Sequence, residues 1–144
     1  MNMSKFSATF FASFLISNVA FADECPKPPY VYFAEITEVY DGNTVTADID
    51  LGFHTWRREE KLRLYGTKAP SIRGDNREQG LESRDWLRSQ VLGKKIMIQT
   101  IKVNNHLRGK SGRYITALYL REGKSCINLN DELVKNGLAV NMSN

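Results

Sequence analysis

Val45, Ala47, Ile49 and Leu51 alternate with Thr46, Asp48 and Asp50. A period of two puts successive side chains on opposite faces, so this run reads as a strand with one face buried. Tyr32 to Tyr40, just before it, is rich in aromatic and β-branched residues. Asp41-Gly42-Asn43 lies between the two runs. Asp, Gly and Asn tolerate the left-handed backbone of a tight turn, so the two runs are expected to form a hairpin. A third alternation follows from Glu60 to Tyr65, with Leu62 and Leu64 on one face and Lys61 and Arg63 on the other. Pro70 and Gly74 end it.

Residues 77–92 contain no proline and are expected to form a helix, with Asp75 or Asn76 as cap and Gly93 as stop. Its apolar stripe is Leu81, Leu87, Val91 and Leu92, interrupted by Arg84 and Arg88. Residues 95–101 and 113–120 read as two more strands around a polar, basic loop at 104–112. A short helix at 128–136, capped by Asn128 and ended by Gly137, closes the pattern. Five strands with a helix between the third and fourth predict a mainly β (α+β) fold. The expected architecture is a five-stranded OB-type Greek-key barrel with two helices. Pattern alone leaves an SH3-like barrel or an open α+β sheet as alternatives.

With 144 residues the chain has length for one domain, and 42% hydrophobic with 25% charged residues excludes a disordered chain. No apolar run reaches the ~18 residues of a membrane-spanning helix. The net charge of +4 permits a polyanionic partner without requiring one.

Residues 1–22 differ from the rest. One cation, Lys5, precedes a Phe-rich apolar run that ends in Ala20-Phe21-Ala22, a small-x-small cleavage pattern. This is the composition of a secretory signal peptide. The expected organisation is a leader at 1–22 and one domain at 23–144. An exported protein, periplasmic or secreted, follows, with no membrane association after cleavage. In an oxidising compartment, Cys25 and Cys126 are expected to form a disulfide, the alternative being two buried thiols. Such a bridge would close a loop of roughly 100 residues and add up to about 4.7 kcal/mol on the chain-entropy model.

Several short motifs occur in order. They are Asp41-Gly42-Asn43-Thr44-Val45, Leu62-Arg63-Leu64-Tyr65-Gly66 with Ala69-Pro70, and Gly80-Leu81-Glu82-Ser83. Gly112-Arg113-Tyr114 and Asn130-Asp131-Glu132-Leu133-Val134 with Gly137-Leu138-Ala139 complete the series. Together, over residues 32–140, they resemble the staphylococcal nuclease (thermonuclease) family. The resemblance ends without the last helix of the longer staphylococcal relative. It implies an OB barrel with attached helices and a calcium-dependent hydrolysis of DNA and RNA phosphodiesters.

On that resemblance, Arg63 and Arg113 match the family's two phosphate-contacting arginines, and Lys110 matches a basic residue near a terminal phosphate. The acids do not carry over. Asp41 remains, but the family's other acids are replaced by Asn43, Lys68 and Ser71. Three formal negative charges become one positive charge. Lysine has three donors and no acceptor, so Lys68 opposes a cation. It is expected to reach into the space the metal would fill, pairing with Asp41 or holding a phosphate. Ser71 has no pKa suited to general-base work near neutrality. No metal or cofactor is therefore expected.

Three functions remain open. The first is a nuclease-fold protein that grips nucleic-acid phosphodiesters with its hydrolysis lost or much reduced. The second is an active DNA or RNA endonuclease with a modified or relocated site, for which Asp48, Asp50, Glu59 and Glu60 are the nearby acids. The third is a protein-interaction module on an OB barrel. DNA or RNA is the expected partner, a protein the alternative, and a monomer the expected state. His54 and His106 read as surface imidazoles in loops, Trp86 as a packing residue of the helix, and Trp56 and Tyr65 as candidates for stacking on bases.

Overall fold

The computed structural model describes residues 24–142, so the expected leader lies outside the described residues. Strand β1 (Val31–Asp41) pairs antiparallel with β2 (Thr44–Asp50) through the Asp41–Thr44 turn, the hairpin expected from the alternation. In that turn the Asn43 backbone N–H donates to Asp41 Oδ1 at 2.9 Å, an Asx-type turn. β1 is not a regular strand. Its pairing with β2 slips between Ile36 and Glu38 and again between Val39 and Asp41, leaving Thr37 and Tyr40 as extra residues. Each slip is a β-bulge, which bends the strand and raises its twist.

β2 pairs antiparallel with β3 (Trp56–Leu64). β3 begins earlier than the alternation from Glu60 suggests, because residues 56–59 are exposed and carry no apolar signal. β5 (Lys95–Thr100) lies antiparallel between β1 and β6 (Tyr114–Glu122). A parallel pairing of β3 with β6, Leu62 opposite Tyr114 to Leu64 opposite Thr116, closes the circle. These five strands form the OB-type barrel, and closure leaves them no free edge. Three short strands add to it. β4 (Thr67–Lys68) pairs with β8 (Val140–Asn141), and β7 (Ser125–Asn128) pairs with the end of β6.

The barrel interior is filled by the inward-facing Ile36, Val39, Val45, Leu62, Leu64, Ile98 and Leu118. Helix α1 (Arg77–Val91) adds Leu87 and Val91 to this core, and α2 (Leu129–Lys135) adds Leu129 and Leu133. The expected stripe on α1 is rotated. Gly80 and Ser83 are buried with Leu87 and Val91, whereas Leu92 ends the helix exposed. Asn76 is the N-cap position of α1, without a side-chain capping bond. On α2, the Asn128 side chain accepts from the Asn130 N–H, as its capping role requires, and Gly137 follows at φ 70°. Trp86 packs against the core from α1.

Two covalent and polar ties hold the ends. Cys25 and Cys126 form the disulfide, 101 residues apart in sequence. Asn130, buried at the start of α2, accepts from the Leu118 N–H at 3.1 Å. It also donates to the carbonyls of Tyr65 at 2.9 Å and Thr116 at 3.1 Å. One amide thus ties α2 to β6 and to the turn between β3 and β4. No helix among the described residues is long and apolar enough to cross a membrane.

Candidate functional site

The β1–β2 turn, the end of β3, the start of β6 and the β4–α1 connection meet at one place on the barrel. Arg63 faces outward from β3 between inward Leu62 and Leu64, as a period of two dictates. Its Nη1 donates to the Asn43 carbonyl at 3.2 Å and its Nη2 to the Thr67 carbonyl at 2.9 Å. Two fixed acceptors orient the guanidinium plane. Burial holds this group below its ordinary arginine range; the charge of Asp41 opposes that shift and the charge of Arg113 adds to it. The head remains cationic at neutral pH.

Arg113, just before β6, donates from Nη1 to Thr44 Oγ1 at 2.9 Å and from Nε to Ser111 Oγ at 3.0 Å. Both arginines are thus anchored to consecutive residues of one turn, Asn43 and Thr44. Neither forms an ion pair among the described residues, whereas Arg57, Arg58, Arg84, Arg88 and Arg108 all do. The two guanidinium groups are half-buried and close enough for the charge of Arg113 to act on Arg63.

The opposite wall is the segment from Lys68 to Ser71. Small residues let it lie close to the turn and to α1. A Cβ on Gly42 would collide with Ser83 and with Ala69, and a Cβ on Gly80 would collide with the Ser71 carbonyl. Gly80 and Ser83 face inward on α1 for this reason. The segment is therefore held against the turn, but its side chains do not complete a metal site. Lys68 is exposed on β4. It forms no ion pair with Asp41, which corrects that part of the expectation. Ser71 is exposed, and its Oγ accepts from the Arg73 N–H at 3.0 Å. Lys110 is exposed in the loop before β6, and no bond ties it to either arginine.

Calcium takes six to eight oxygen ligands, roughly, with several carboxylates among them. This corner supplies one carboxylate, Asp41, and its Oδ1 already accepts from the turn. Asn43 is buried and aims its Nδ2 at the Thr67 carbonyl at 3.4 Å, and Arg63 takes that same carbonyl. The donors point where a cation would need acceptors. The residues present do not fit the ion.

Of the four acids that the sequence offers for a relocated site, Asp48, Glu60 and Asp50 are engaged, and Glu59 is exposed on β3. Asp48 accepts from the Glu59 N–H and from Arg58, and these bonds lower its pKa. Glu60 lies between Arg57 and Arg108, and Asp50 accepts from the Gly52 N–H at 2.9 Å. Among the described residues, no three His, Cys, Asp or Glu side chains are grouped to hold a metal. His54 is an exposed turn residue at φ 57°, and His106 is exposed in the loop. The exposed Trp56 ring is covered by the Arg58 guanidinium, 4.6 Å from its centroid.

The family model described as staphylococcal nuclease homologue matches residues 61–144. The chain belongs to that family. The matched segment includes Arg63, Lys68, Ser71, Lys110 and Arg113, and the barrel that it enters is completed by β1 and β2. A protein of Methanocaldococcus jannaschii, described as uncharacterized, is 25% identical over 127 residues, covering 75% of this chain and 58% of that protein. The chain thus spans less than two thirds of that relative.

Several site residues carry no signal in the sequence. Thr44 binds Arg113 through a hydroxyl next to a recognisable turn. The carbonyls of Asn43 and Thr67 orient Arg63 and are backbone groups, which composition does not mark. Arg73 reaches from the β4–α1 connection to the hydroxyl of Tyr40 at 3.2 Å, across 33 positions of sequence.

Proposed function

We propose that this chain is an exported member of the staphylococcal nuclease family that grips nucleic-acid phosphodiesters through Arg63 and Arg113, with calcium-dependent hydrolysis lost or nearly lost. One observation carries the reading. The two guanidinium groups are anchored on one turn and form no ion pair among the described residues, whereas the corner offers a single acid, Asp41 on that turn, and the facing segment a lysine.

Guanidinium groups match phosphate oxygens in charge and in planar geometry, so they suit a phosphodiester in both ground and transition states. Binding both states equally gives affinity without rate. Hydrolysis needs in addition an activated water and stabilisation of the charge that develops on the phosphoryl oxygens. Ser71 does not supply the first, and the cation that would share the second has no site here. The leader pattern and the Cys25–Cys126 disulfide support export, since disulfides persist in oxidising compartments.

The test pairs binding with cleavage. Oxidised protein is titrated into single-stranded DNA and RNA, and the same samples are followed for cleavage with Ca²⁺, Mg²⁺ or EDTA. The expected result is salt-sensitive binding without turnover, weakened by Arg63→Ala and Arg113→Ala. Metal-dependent turnover abolished by Arg63→Ala would replace this reading with an active nuclease. Absence of both binding and turnover would replace it with a protein-interaction module.

A further inference from the structure

We propose that the outer barrel face beside Arg113 is a base-stacking subsite for a single nucleic-acid strand, with the ring of Tyr40 as its platform. The inference rests on the phosphate grip proposed above and specifies the state of the nucleic acid that the grip holds.

A cleft of about 510 Å³ opens next to Arg113, and Tyr40, Thr44, Lys61 and Glu38 line it. Cross-strand register builds its floor. Glu38 is opposite Thr46, and Thr46 is opposite Lys61, so these three form one outward row; Thr44 opposite Arg63 begins the next. Tyr40 owes its place to the second bulge of β1. The register steps from Val39 opposite Val45 to Asp41 opposite Thr44, and the extra residue between them is Tyr40. A bulge re-aims a side chain, and here it turns an aromatic ring into the cleft that Lys61 and Arg113 also line.

Three observations separate this ring from the other exposed aromatics. It is 45% exposed, yet its hydroxyl accepts from Arg73 Nη2 at 3.2 Å, which fixes its position at low entropic cost. Among the described residues no lysine or arginine lies over its ring, whereas Tyr30, Phe33 and Trp56 each have one; Phe53 and Tyr65 are also open but lie outside this cleft. It also shares its cleft with Lys61 and Arg113. Single-strand sites combine such a cationic track with an open aromatic face, because every base has a π-face and stacks without regard to sequence. Glu38, on the far side of the cleft, repels phosphate, so the backbone is placed on the Lys61–Arg113 side and the base over Tyr40. A base inside a duplex is already stacked on both faces and cannot reach the ring.

The full oxidised chain is titrated with a short fluorescent single strand, with an abasic strand of the same phosphate count, and with a duplex. Stacking on one base predicts about 5- to 100-fold tighter binding of the base-bearing strand than of the abasic one. Tyr40→Ala brings that ratio close to one, and Tyr40→Phe, which keeps the ring, restores it. Equal affinity of the native chain for both strands, with both weakened by Arg63→Ala, overturns the subsite and leaves the phosphate grip standing. So does a ratio that survives Tyr40→Ala, or a preference for the duplex. No binding to any of the three overturns the grip and the subsite together.

Discussion

The two walls of the site share one backbone frame and differ in what they hold. Arg63 and Arg113 come from β3 and from the start of β6, the strands whose parallel pairing closes the barrel, and each is anchored by hydrogen bonds to the turn. The facing segment, Lys68 to Ser71, is also held closely, by Gly42, Gly80 and Ser83. Its backbone is thus closely packed, while its side chains depart from the acids of the family's motif. Had the whole site decayed through lost structure, the glycine contacts would have no reason to fit and the arginines no reason to remain oriented. The difference is confined to side chains that would hold a cation and activate water. On the proposed reading, anion binding and metal-assisted hydrolysis are separable on this frame.

The strongest way to break that comparison is to restore acids at this corner, two on the poorer wall and one on the turn. Asn43→Asp, Lys68→Asp and Ser71→Glu together should give a calorimetric Ca²⁺ signal and calcium-dependent cleavage where the native chain gives neither. The first substitution has a cost that makes the test sharper. Asn43 Nδ2 points at the Thr67 carbonyl, and a carboxylate there faces that oxygen without a proton between them. A buried mismatch of this kind destabilises by about 1–3 kcal/mol. Calcium binding would relieve it, so the variant's melting temperature should rise with Ca²⁺ while the native chain's does not. A folded variant indifferent to Ca²⁺ would mean that the wall is not where the family's metal sits.

Asn130 tests the frame that both walls share. Its side chain satisfies three backbone groups, including the Tyr65 carbonyl between β3 and β4. Asn130→Ala removes this partner from the Leu118 N–H and the Tyr65 carbonyl, while the Thr116 carbonyl keeps the Tyr65 N–H at 2.8 Å, and a loss of about 2–4 kcal/mol in denaturant unfolding is expected. Loss of the grip should follow unfolding and should not precede it. If affinity drops while stability holds, the two walls are set by something other than this latch.

Arg63→Ala probes the richer wall alone. A charge-assisted contact to phosphate contributes about 1.5–3 kcal/mol, so oligonucleotide affinity should fall roughly 10- to 100-fold. The slope of log affinity against log salt should become shallower by about 0.7 for a single strand. An unchanged affinity would move the binding surface away from this turn.

Much of this frame was legible in the sequence, and the rest was hidden for definite reasons. The hairpin, the Asn128 cap and the Cys25–Cys126 pair follow from alternation, turn chemistry and cysteine count, whereas the choice of an OB barrel over its alternatives leans on the family resemblance. The rotated stripe of α1 does not. Its buried residues at Gly80 and Ser83 are there because backbone must come close to backbone, and smallness, unlike apolarity, has no period to read. Tyr40 is concealed in another way. A bulge adds one residue to a strand without changing its composition, so counting alternate positions misses it. The acceptors that orient Arg63 are carbonyls, which every residue has. The sequence therefore shows which side chains depart from the family's motif, but only the fold shows how closely the segment that carries them is packed.

The smallest expected effect concerns Lys68, and it decides whether the poorer wall still takes part in binding. Lys68 is exposed and forms no ion pair among the described residues. An exposed ammonium near a phosphate in water contributes about 1 kcal/mol or less. Lys68→Ala should therefore weaken binding of a single strand by no more than about fivefold at low salt. The loss should disappear as salt rises, because the charge is open to screening. A loss as large as that of Arg63→Ala would make Lys68 an equal member of the grip, and the two walls would then be one. No loss at any salt would make the substituted wall inert. In that case the lysine excludes a metal and does nothing more, and the affinity of this protein rests on the arginine wall alone.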